Sequence, residues 1–206
     1  MVETAVRRVP TIPSSDWLGA LPSATRFVFH GGAAARAAAS AVWAAPFSER
    51  ALRANVRAGR ATLWLGPDEY LLLDMDGATP GGELAGGRPE AALPDILESA
   101  LSGIPHALVD ISHRQFAFQV QGPHATAILS GACPLDLDLN AFPVGMCTRT
   151  VLAKADIVLW RTHQTTFHLE AWRSFAGYVT GVLSEIAAEF YPRHQPAPTR
   201  PPTILL

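Results

Sequence analysis

Two periods of apolar and polar residues recur along this chain, and they predict its strands and helices. Large apolar side chains stand at alternate positions at Phe116, Phe118 and Val120, which is typical of a half-buried strand. The pair Gly122-Pro123 ends this strand and begins a short helix, because proline cannot donate to a β-ladder but fits a first helical turn. By the same criteria, strands are predicted at 26–29, 60–65, 70–73, 116–121, 148–152, 156–161 and 166–171.

Helices are predicted where apolar residues recur three or four positions apart. The clearest example is the segment 174–190, whose apolar face consists of Phe175, Tyr178, Val179, Val182, Leu183 and Ile186. Shorter helices are predicted at 91–101, at 124–129 and in the alanine-rich segment 33–42. The residues from 64 to 73 are predicted to form a β-hairpin with its turn at 66–69.

Both halves of the chain therefore follow the order strand, helix, strand, strand, helix. A sheet with an apolar face is stable when helices cover that face. We therefore predict an α+β fold of two duplicated halves, with antiparallel or mixed sheets and helices packed on one face. The predicted divisions are an extended N-terminal arm at 1–24, a first half at 25–105, a second half at 106–191 and a proline-rich tail at 192–206.

The composition indicates a surface that is buried against a partner, and it gives no support for nucleic-acid binding or for a membrane span. Only 17% of the residues are charged and 49% are apolar, whereas about 25% charged is usual, so part of the surface is expected to be buried against a partner. The net charge of −2 and the absence of a Lys/Arg block give no support for nucleic-acid binding. No apolar run approaches a membrane span of about 20 residues, and the first residues lack the apolar core of a signal peptide, so a cytoplasmic location is expected.

The two proline-rich ends are expected to contact that partner. They have few core-forming residues, but they contain the apolar residues Trp17, Leu18, Ile204, Leu205 and Leu206. Extended segments of this kind can lie along another protein and use such residues as anchors.

The turn at 110–113 contains Asp110, Ser112 and His113, which are the residue types of a hydrolase triad. Triad members usually come from separate loops, so their adjacency in sequence disfavours catalysis. We instead predict that Asp110 and Ser112 bond to nearby backbone N–H groups and stabilise a turn.

Two further groups could in principle bind ligands. The Gly122-Pro123 turn could hold an anion at a helix N-terminus, but we predict that it serves as a helix entry. Trp160, Arg161 and Trp172 could stack on a flat heterocycle, although tryptophans more often lie in a core or an interface. No GxGxxG fingerprint of a dinucleotide site is present.

Cysteine and histidine are not arranged as metal ligands. Cys133 and Cys147 are predicted to be buried free thiols in a reducing compartment. The seven histidines form no HxH, HExxH or Cys/His cluster, which disfavours a metal site: His30, His106, His113, His124, His163, His168 and His194.

Several short segments, taken in order and spacing, resemble a known family. The chain resembles the gamma subunits of heterotetrameric sarcosine oxidases, which are small relatives of the glycine-cleavage T-protein (aminomethyltransferase) superfamily. The resemblance covers roughly 25–190, and the segments that carry it are Leu65-Gly-Pro-Asp-Glu-Tyr-Leu-Leu-Leu73, Asp110-Ile-Ser-His-Arg114, Val120-Gln-Gly-Pro-His-Ala125, Cys133-Pro-Leu-Asp-Leu137, Phe142-Pro-Val-Gly145, Thr166-Phe-His-Leu-Glu170 and Arg173-Ser-Phe-Ala176.

One segment departs from the folate-binding members of that superfamily. Those members have a sequence like S-Y-T-G-E-x-G-[FWY]-E, whereas this chain has T-H-Q-T-T-F-H-L-E at 162–170. The Tyr, Gly and Glu of the turn are missing, so no folate site is predicted here. The resemblance further implies a T-protein-like fold without the C-terminal barrel, since about 15 residues follow the last predicted helix.

The resemblance implies a role in a larger enzyme. Such a complex demethylates sarcosine with O2, forms glycine and hydrogen peroxide, and transfers the one-carbon unit to tetrahydrofolate. The implied partners are the alpha, beta and delta subunits, and FAD, FMN, NAD, zinc and tetrahydrofolate are expected on those other subunits. For this chain, the resemblance implies no catalytic, cofactor-binding or metal-binding residue and a structural role in assembly.

Two alternative functions remain open at this point. The first is a stand-alone tetrahydrofolate-dependent transferase, for which Asp110 and Glu170 are the only suitable carboxylates. The second is a binding module with no enzyme attached. A folate titration and the identity of neighbouring genes would separate these from the oxidase subunit.

Overall fold

Ten strands and four α-helices form within residues 15–75 and 92–191, which are the residues that the computed structural model describes. In chain order they are β1 (Leu18–Ala20), β2 (Thr25–Gly31), α1 (Ala33–Trp43), β3 (Ala54–Arg57), β4 (Arg60–Gly66), β5 (Glu69–Asp74), α2 (Ala92–Ala100), β6 (His106–Asp110), β7 (Gln115–Gln121), α3 (Ala125–Ser130), β8 (Cys147–Leu152), β9 (Ala155–His163), β10 (Thr166–Trp172) and α4 (Ala176–Ala187), with a short 3-10 turn at Arg173–Phe175.

The strands form two five-stranded sheets. The first sheet has the order β3-β4-β5-β2-β6, and the second has the order β1-β7-β10-β9-β8. All neighbouring pairs are antiparallel. The predicted α+β fold of duplicated halves is therefore confirmed, with antiparallel rather than mixed sheets in the described residues.

Four layers result from the alternation of side chains along the strands. The outer face of the first sheet packs against α1 and α2 through residues such as Phe29, Trp43 and Leu97. The outer face of the second sheet packs in the same way against α3 and α4. The inner faces meet in a third, smaller apolar cluster that contains Ala61, Leu63, Leu71, Leu73, Ile111, Cys147, Val158 and Trp160.

The two halves exchange their leading strands. Strand β1 precedes the first half in sequence, but it pairs with β7 at the edge of the second sheet. Strand β6 precedes β7, but it pairs with β2 at the edge of the first sheet. Each sheet is therefore completed by a strand from the other half, which ties the halves together.

This exchange bears on two expectations from the sequence. Leu18 is 2% exposed within the outer core of the second sheet, and Trp17 stacks on Tyr191 with ring centroids 6.2 Å apart. The expectation that Leu18 anchors a partner is therefore wrong, because the β1–β7 pairing buries it in its own chain. Most of the predicted arm and the tail at 192–206 lie outside the described residues, and the division at 24, 105 and 191 stays a prediction.

The duplication is accurate to the residue in its hairpins. In the first sheet Trp64 lies opposite Tyr70, and the register then shifts before Gly66 meets Glu69. In the second sheet Arg161 lies opposite Phe167, and an equivalent shift follows between β9 and β10. Counting along each strand away from the turn gives pairs of residues at equivalent positions on the inner faces of the two sheets. These pairs are Leu63 and Trp160, Leu71 and His168, Leu73 and Glu170, and Val28 and Gln119.

Candidate functional site between the two sheets

A cavity of about 600 Å³ lies against the inner face of the second sheet, where β7, β9 and β10 approach the β9–β10 turn. We call it the Trp160 cavity. The second sheet contributes its most polar lining residues, which are Gln119, Gln121, Thr162, His163, Thr166 and His168. Arg26 and Met75 of the first half close it, together with Leu21, Pro22 and Ala24 from the segment before β2. The site therefore needs residues from both halves of the chain.

A second cavity of about 410 Å³ lies between the same sheets and includes Trp172 in its wall. We call it the Trp172 cavity. Arg26 lines the Trp160 cavity and Glu170 lines the Trp172 cavity. Because these two side chains are in contact, their ion pair lies at the boundary between the two spaces.

The ion pair is the centre of a buried polar cluster. Arg26 is 3% exposed and Glu170 is 1% exposed. The Arg26 Nε–H is shared by both Glu170 carboxylate oxygens at 3.0 and 2.8 Å, and Arg26 Nη1 donates to the Ala24 carbonyl at 2.8 Å. His168 Nε2 donates to Glu170 Oε1 at 2.8 Å. Both oxygens of the carboxylate therefore already accept hydrogen bonds.

This environment keeps Glu170 ionised. Burial alone would raise the pKa of Glu170, but the charge of Arg26 and the hydrogen bond from His168 outweigh burial and hold the pKa below its usual value. The cluster is thus a compensated buried charge, which is stable only while the cation and the carboxylate stay together.

Internal duplication shows that the fold does not require polar residues at these positions. The first sheet has Leu71 and Leu73 on its inner face where the second sheet has His168 and Glu170. Buried polar and charged groups cost free energy unless they are paired, so an apolar inner face is the simpler solution. The polar inner face of the second sheet therefore marks the place where the two halves differ in role.

The Trp160 indole is part of the same difference, since its equivalent in the first sheet is Leu63. Trp160 is 6% exposed and its ring lies 5.6 Å from that of His168. Its Nε1–H is buried and has no hydrogen-bond partner within the described part of the chain. Such a donor is uncommon in a protein interior.

The loop at 110–113 has the predicted structural role. Asp110 Oδ1 accepts the Ser112 backbone N–H at 2.8 Å, which confirms the predicted turn. Ser112 Oγ accepts the Arg26 backbone N–H at 2.9 Å, so this turn also holds the strand that presents Arg26. The His113 side chain is exposed, and its carbonyl accepts a hydrogen bond from Arg173 Nε at 3.0 Å.

The three residues considered for stacking on a heterocycle lie apart. Trp160 faces the inner cavity, whereas the next residue, Arg161, faces the outer core and lies over the Phe167 ring at 4.5 Å. Trp172 lies at the far end of β10, under the guanidinium of Arg114 at 5.3 Å. Only Trp160 belongs to the Trp160 cavity, so the three do not form one stacking site.

The Gly122-Pro123 turn lies directly before α3, as the helix-entry prediction requires. Gly122 has a φ of 102°, a conformation that favours glycine, and its N–H donates to the Thr165 carbonyl at 3.0 Å. The turn thereby connects the end of β7 to the β9–β10 turn at the mouth of the Trp160 cavity.

The two cysteines are buried and free, as predicted. Burial raises the pKa of the Cys147 thiol to about 12, so this thiol stays protonated at neutral pH. Among residues 15–75 and 92–191, no group of three or more His, Cys, Asp or Glu side chains is placed to hold a metal ion. Within those residues, no helix is both long and apolar enough to cross a membrane.

Comparison with known proteins identifies the family. The model of the sarcosine oxidase, gamma subunit family matches residues 30–189, which is most of the chain. This chain belongs to that family. Among its relatives, the sarcosine oxidase gamma subunit of Corynebacterium sp. (strain P-1) is 32% identical over 64% of this chain, and that of Arthrobacter sp. is 31% identical over 66%. The matched regions cover 59% and 61% of those relatives.

Solved structures agree with the family. One chain of the heterotetrameric sarcosine oxidase from Corynebacterium sp. U-96, in complex with pyrrole 2-carboxylate, aligns with a TM-score of 0.74 and 27% identity over 87% of both chains. Aminomethyltransferase T of the glycine cleavage system from Bartonella henselae aligns with a TM-score of 0.56 and 16% identity, over 81% of this chain and 44% of that protein. The second alignment shows a shared fold.

The two carboxylates considered for a stand-alone folate-dependent transferase lie in different surroundings. Of the two candidate carboxylates, Asp110 accepts a hydrogen bond within its own turn. Glu170 is buried and already bonded to Arg26 and His168. Glu170 therefore already has donors on both oxygens, whereas Asp110 is exposed and lines neither inner cavity. Sequence reasoning proposed Glu170 but missed Arg26 and His168, and the internal repeat is the signal that could have found His168.

Proposed function

We propose that this chain is the gamma subunit of a heterotetrameric sarcosine oxidase and that it contributes structure rather than chemistry to that complex. The supporting observation is the alignment with one chain of such an enzyme over 87% of both chains. The reaction of the complex would be the oxidative demethylation of sarcosine to glycine, with hydrogen peroxide formed and the one-carbon unit transferred to tetrahydrofolate.

The proposed partners are the alpha, beta and delta subunits. FAD, FMN, NAD, zinc and tetrahydrofolate would be bound by those subunits, and the assembly would be cytoplasmic. Exposed large apolar residues within the described ranges support a role in assembly: Val56, Ile96, Val109, Leu139, Val144, Val151, Trp172 and Tyr178. Burial of such residues against partners is a common driving force for association.

Co-purification from the native source tests this proposal. The tagged chain is expected to elute with two larger flavin-containing subunits, one small subunit and sarcosine-dependent peroxide formation, and mass spectrometry identifies the subunits. Elution of the oxidase activity without this chain would contradict the proposal. A tetrahydrofolate titration of the chain alone separates it from the stand-alone transferase, which would bind folate without partners.

The chain purified alone is expected to be colourless and inactive. It lacks a dinucleotide fingerprint, and the buried Glu170 is held by Arg26 and His168. The measurements are the absorbance between 350 and 500 nm, where flavins absorb at about 450 nm, and peroxide release with sarcosine. A yellow preparation that turns over sarcosine would refute the structural role.

We expect His113→Ala to leave turnover of the complex unchanged at saturating sarcosine. The His113 side chain is exposed, and the contact it makes through its backbone carbonyl survives the substitution. The comparison is with Asp110→Ala, which removes the carboxylate that accepts the Ser112 N–H and should lower stability by about 0.5–2 kcal/mol. Normal assembly with lost turnover in His113→Ala would show that His113 has a chemical role.

A further inference from the structure

We infer that β6, an edge strand of the first sheet, is a docking strand for an extended segment of a partner subunit. The segment would pair with β6 and add a sixth strand to that sheet. Its chemistry would be a run of three apolar residues between two basic ones. The inference rests on the proposed assembly and deepens it, because it names the surface and the kind of segment that meet there.

Strand β6 directs half of its backbone groups away from the sheet. The Ile111 N–H donates to the Arg26 carbonyl at 2.9 Å, so these residues form a hydrogen-bonded pair beside the last residue of β6. Because such pairs alternate along an antiparallel ladder, every second residue of β6 has its N–H and carbonyl pointing away from β2. These outward residues are His106, Leu108 and Asp110. Within residues 15–75 and 92–191, β2 is the only strand that pairs with β6.

The opposite edge of the same sheet is covered by the chain itself. The Ala54 N–H of β3 donates to the Gly145 carbonyl at 2.9 Å, and an isolated bridge joins Arg53 to Met146. Strand β6 has no such cover among the described residues. It also contains no lysine, proline or bulge, which are common protections of an exposed edge. An edge of this kind is suited to accept a further strand.

The middle of β6 offers apolar side chains to an added strand. Val109 is 53% exposed on the inner side of the sheet, and Ala107 is exposed beside it. On the outer side, Leu108 is only partly buried against the helix layer. Apolar pairs across neighbouring strands stabilise a sheet, so the three facing residues of the added strand should be apolar.

Carboxylates flank both ends of β6. Asp110 is its last residue and is exposed. Glu98 of α2 is 54% exposed and contacts His106, the first residue of β6, at 3.3 Å. Opposite charges on facing strands are stabilising and like charges are destabilising. Lysine or arginine at both ends of the added segment therefore complements this edge, and acidic residues there would be repelled.

The size of the edge favours a partner subunit over a second copy of this chain. A stable interface takes about 20–30 residues on each side, whereas β6 has 5 residues. Two copies that paired through β6 alone would therefore bind weakly. A strand that belongs to a wider contact between subunits does not have this limit.

Amide exchange provides the first test, on the co-purified complex and on the full-length chain alone, with fragmentation that resolves single residues. In the complex, the Leu108 N–H is expected to exchange slower by roughly tenfold or more, because the added strand supplies its acceptor. The Val109 N–H already bonds to β2, so its exchange should change less. This difference between neighbours separates strand addition from simple coverage of the surface.

Val109→Asp provides the second test, because it places a charge on the apolar side of β6. The complex is expected to dissociate at a concentration higher by roughly tenfold or more, measured by mass photometry on dilution. The matched control is Val56→Asp, since Val56 is also 53% exposed and lies on β3 at the opposite edge of the sheet. The control should stay within about twofold of the wild type, and both variants alone should melt at the wild-type temperature.

Glu98→Gln tests the charge of the added segment. It keeps the shape of the side chain and removes one of the two flanking charges, so assembly should weaken by about two- to fivefold at low salt and depend less on salt. The comparison is Glu185→Gln, which changes an exposed carboxylate on α4 and should have neither effect.

Failure of this inference is distinct from failure of the proposed function, which would appear as co-purification without flavin-containing subunits. An intact complex whose Leu108 N–H exchanges as fast as in the chain alone would overturn the inference. Equal effects of Val109→Asp and Val56→Asp on assembly would also overturn it, and the exchange of Leu108 decides if Val109→Asp does not fold. Protection of Leu108 that appears in the chain alone and grows with its concentration would show that a second copy, and no partner segment, occupies the edge.

Discussion

Glu170→Leu is expected to lower the free energy of unfolding by about 3–5 kcal/mol, because it leaves the Arg26 guanidinium buried without its counter-charge. His168 also loses the acceptor of its Nε2–H. The new side chain itself should be tolerated, since Leu73 occupies the equivalent position in the first sheet. Urea unfolding at pH 7, followed by circular dichroism, measures the loss.

The double variant Arg26→Met with Glu170→Leu shows which effect destabilises Glu170→Leu. The loss could come from the missing attraction between the two side chains or from the unpaired charge of Arg26. It should recover most of the stability, to within about 1 kcal/mol of the wild type or above it, because an apolar pair replaces the ions. The matched control is Glu98→Leu, which removes a more exposed carboxylate from its contact with His106 and should cost less than about 1 kcal/mol. A double variant as unstable as the single one would contradict this account.

Lower pH provides a second readout of the same pair. The folded-state pKa of Glu170 lies below its usual value of 4.5, so the stability gained from ionised Glu170 is fully present above that value. As the pH falls below 4.5 and through the folded-state pKa, this contribution is lost. The stability of the wild type should therefore decline relative to that of the double variant over that range. Both proteins contain the same other carboxylates, so the effects of those groups cancel in the comparison.

Local periodicity in the sequence was sufficient to predict most elements of this fold. The helix predicted at 33–42 is α1 (Ala33–Trp43), and the strand predicted at 116–121 is β7 (Gln115–Gln121). The strands that were not predicted, β1, β3 and β6, are short edge strands. They span three, four and five residues, which is too short for a clear alternation of apolar and polar residues to show in the sequence. The exchange of β1 and β6 between the sheets depends on contacts remote in sequence and leaves no local signal.

The candidate site shows the same limit. Arg26 and Glu170 are 144 positions apart, so no local pattern pairs them. Strand alternation, however, could have separated Trp160 from Arg161, because neighbours on a strand point to opposite faces. The two halves of the sequence could also have been aligned residue by residue. This alignment makes His168 equivalent to Leu71 and shows that an apolar position of the first sheet is polar in the second.

Arg161→Met is expected to destabilise the chain by about 3 kcal/mol and to loosen the segment 131–146. Arg161 is 1% exposed, and its Nη1 donates to the carbonyls of Leu137 and Phe142 at 3.1 and 2.6 Å. Its Nη2 donates to Thr126 Oγ1 at 3.1 Å, which links this segment to α3. Removing the donor leaves these acceptors without a partner, at a cost of about 1–3 kcal/mol each that is not fully additive.

Burial gives this arginine an unusual environment. Burial lowers the pKa of Arg161, and the negative charge of Asp138 raises it by a smaller amount. The arginine nevertheless stays protonated at neutral pH. The equivalent position in the first sheet is Trp64, so a large side chain is common to both halves while the guanidinium is specific to the second. The positive charge therefore serves the carbonyls of the segment 131–146, which only a group with several donors can bond at once.

Arg161→Lys provides the test of that specificity. Lysine keeps the charge, but it lacks the planar fork that reaches two carbonyls and a hydroxyl together, so stability should fall between those of the wild type and Arg161→Met. Arg149→Met is the control, since its side chain is 50% exposed in the pair with Glu69 and should change stability by less than about 1 kcal/mol. Amide exchange should accelerate within 131–146 in Arg161→Met. Unchanged exchange there would mean that the carbonyl bonds do not hold this segment in place.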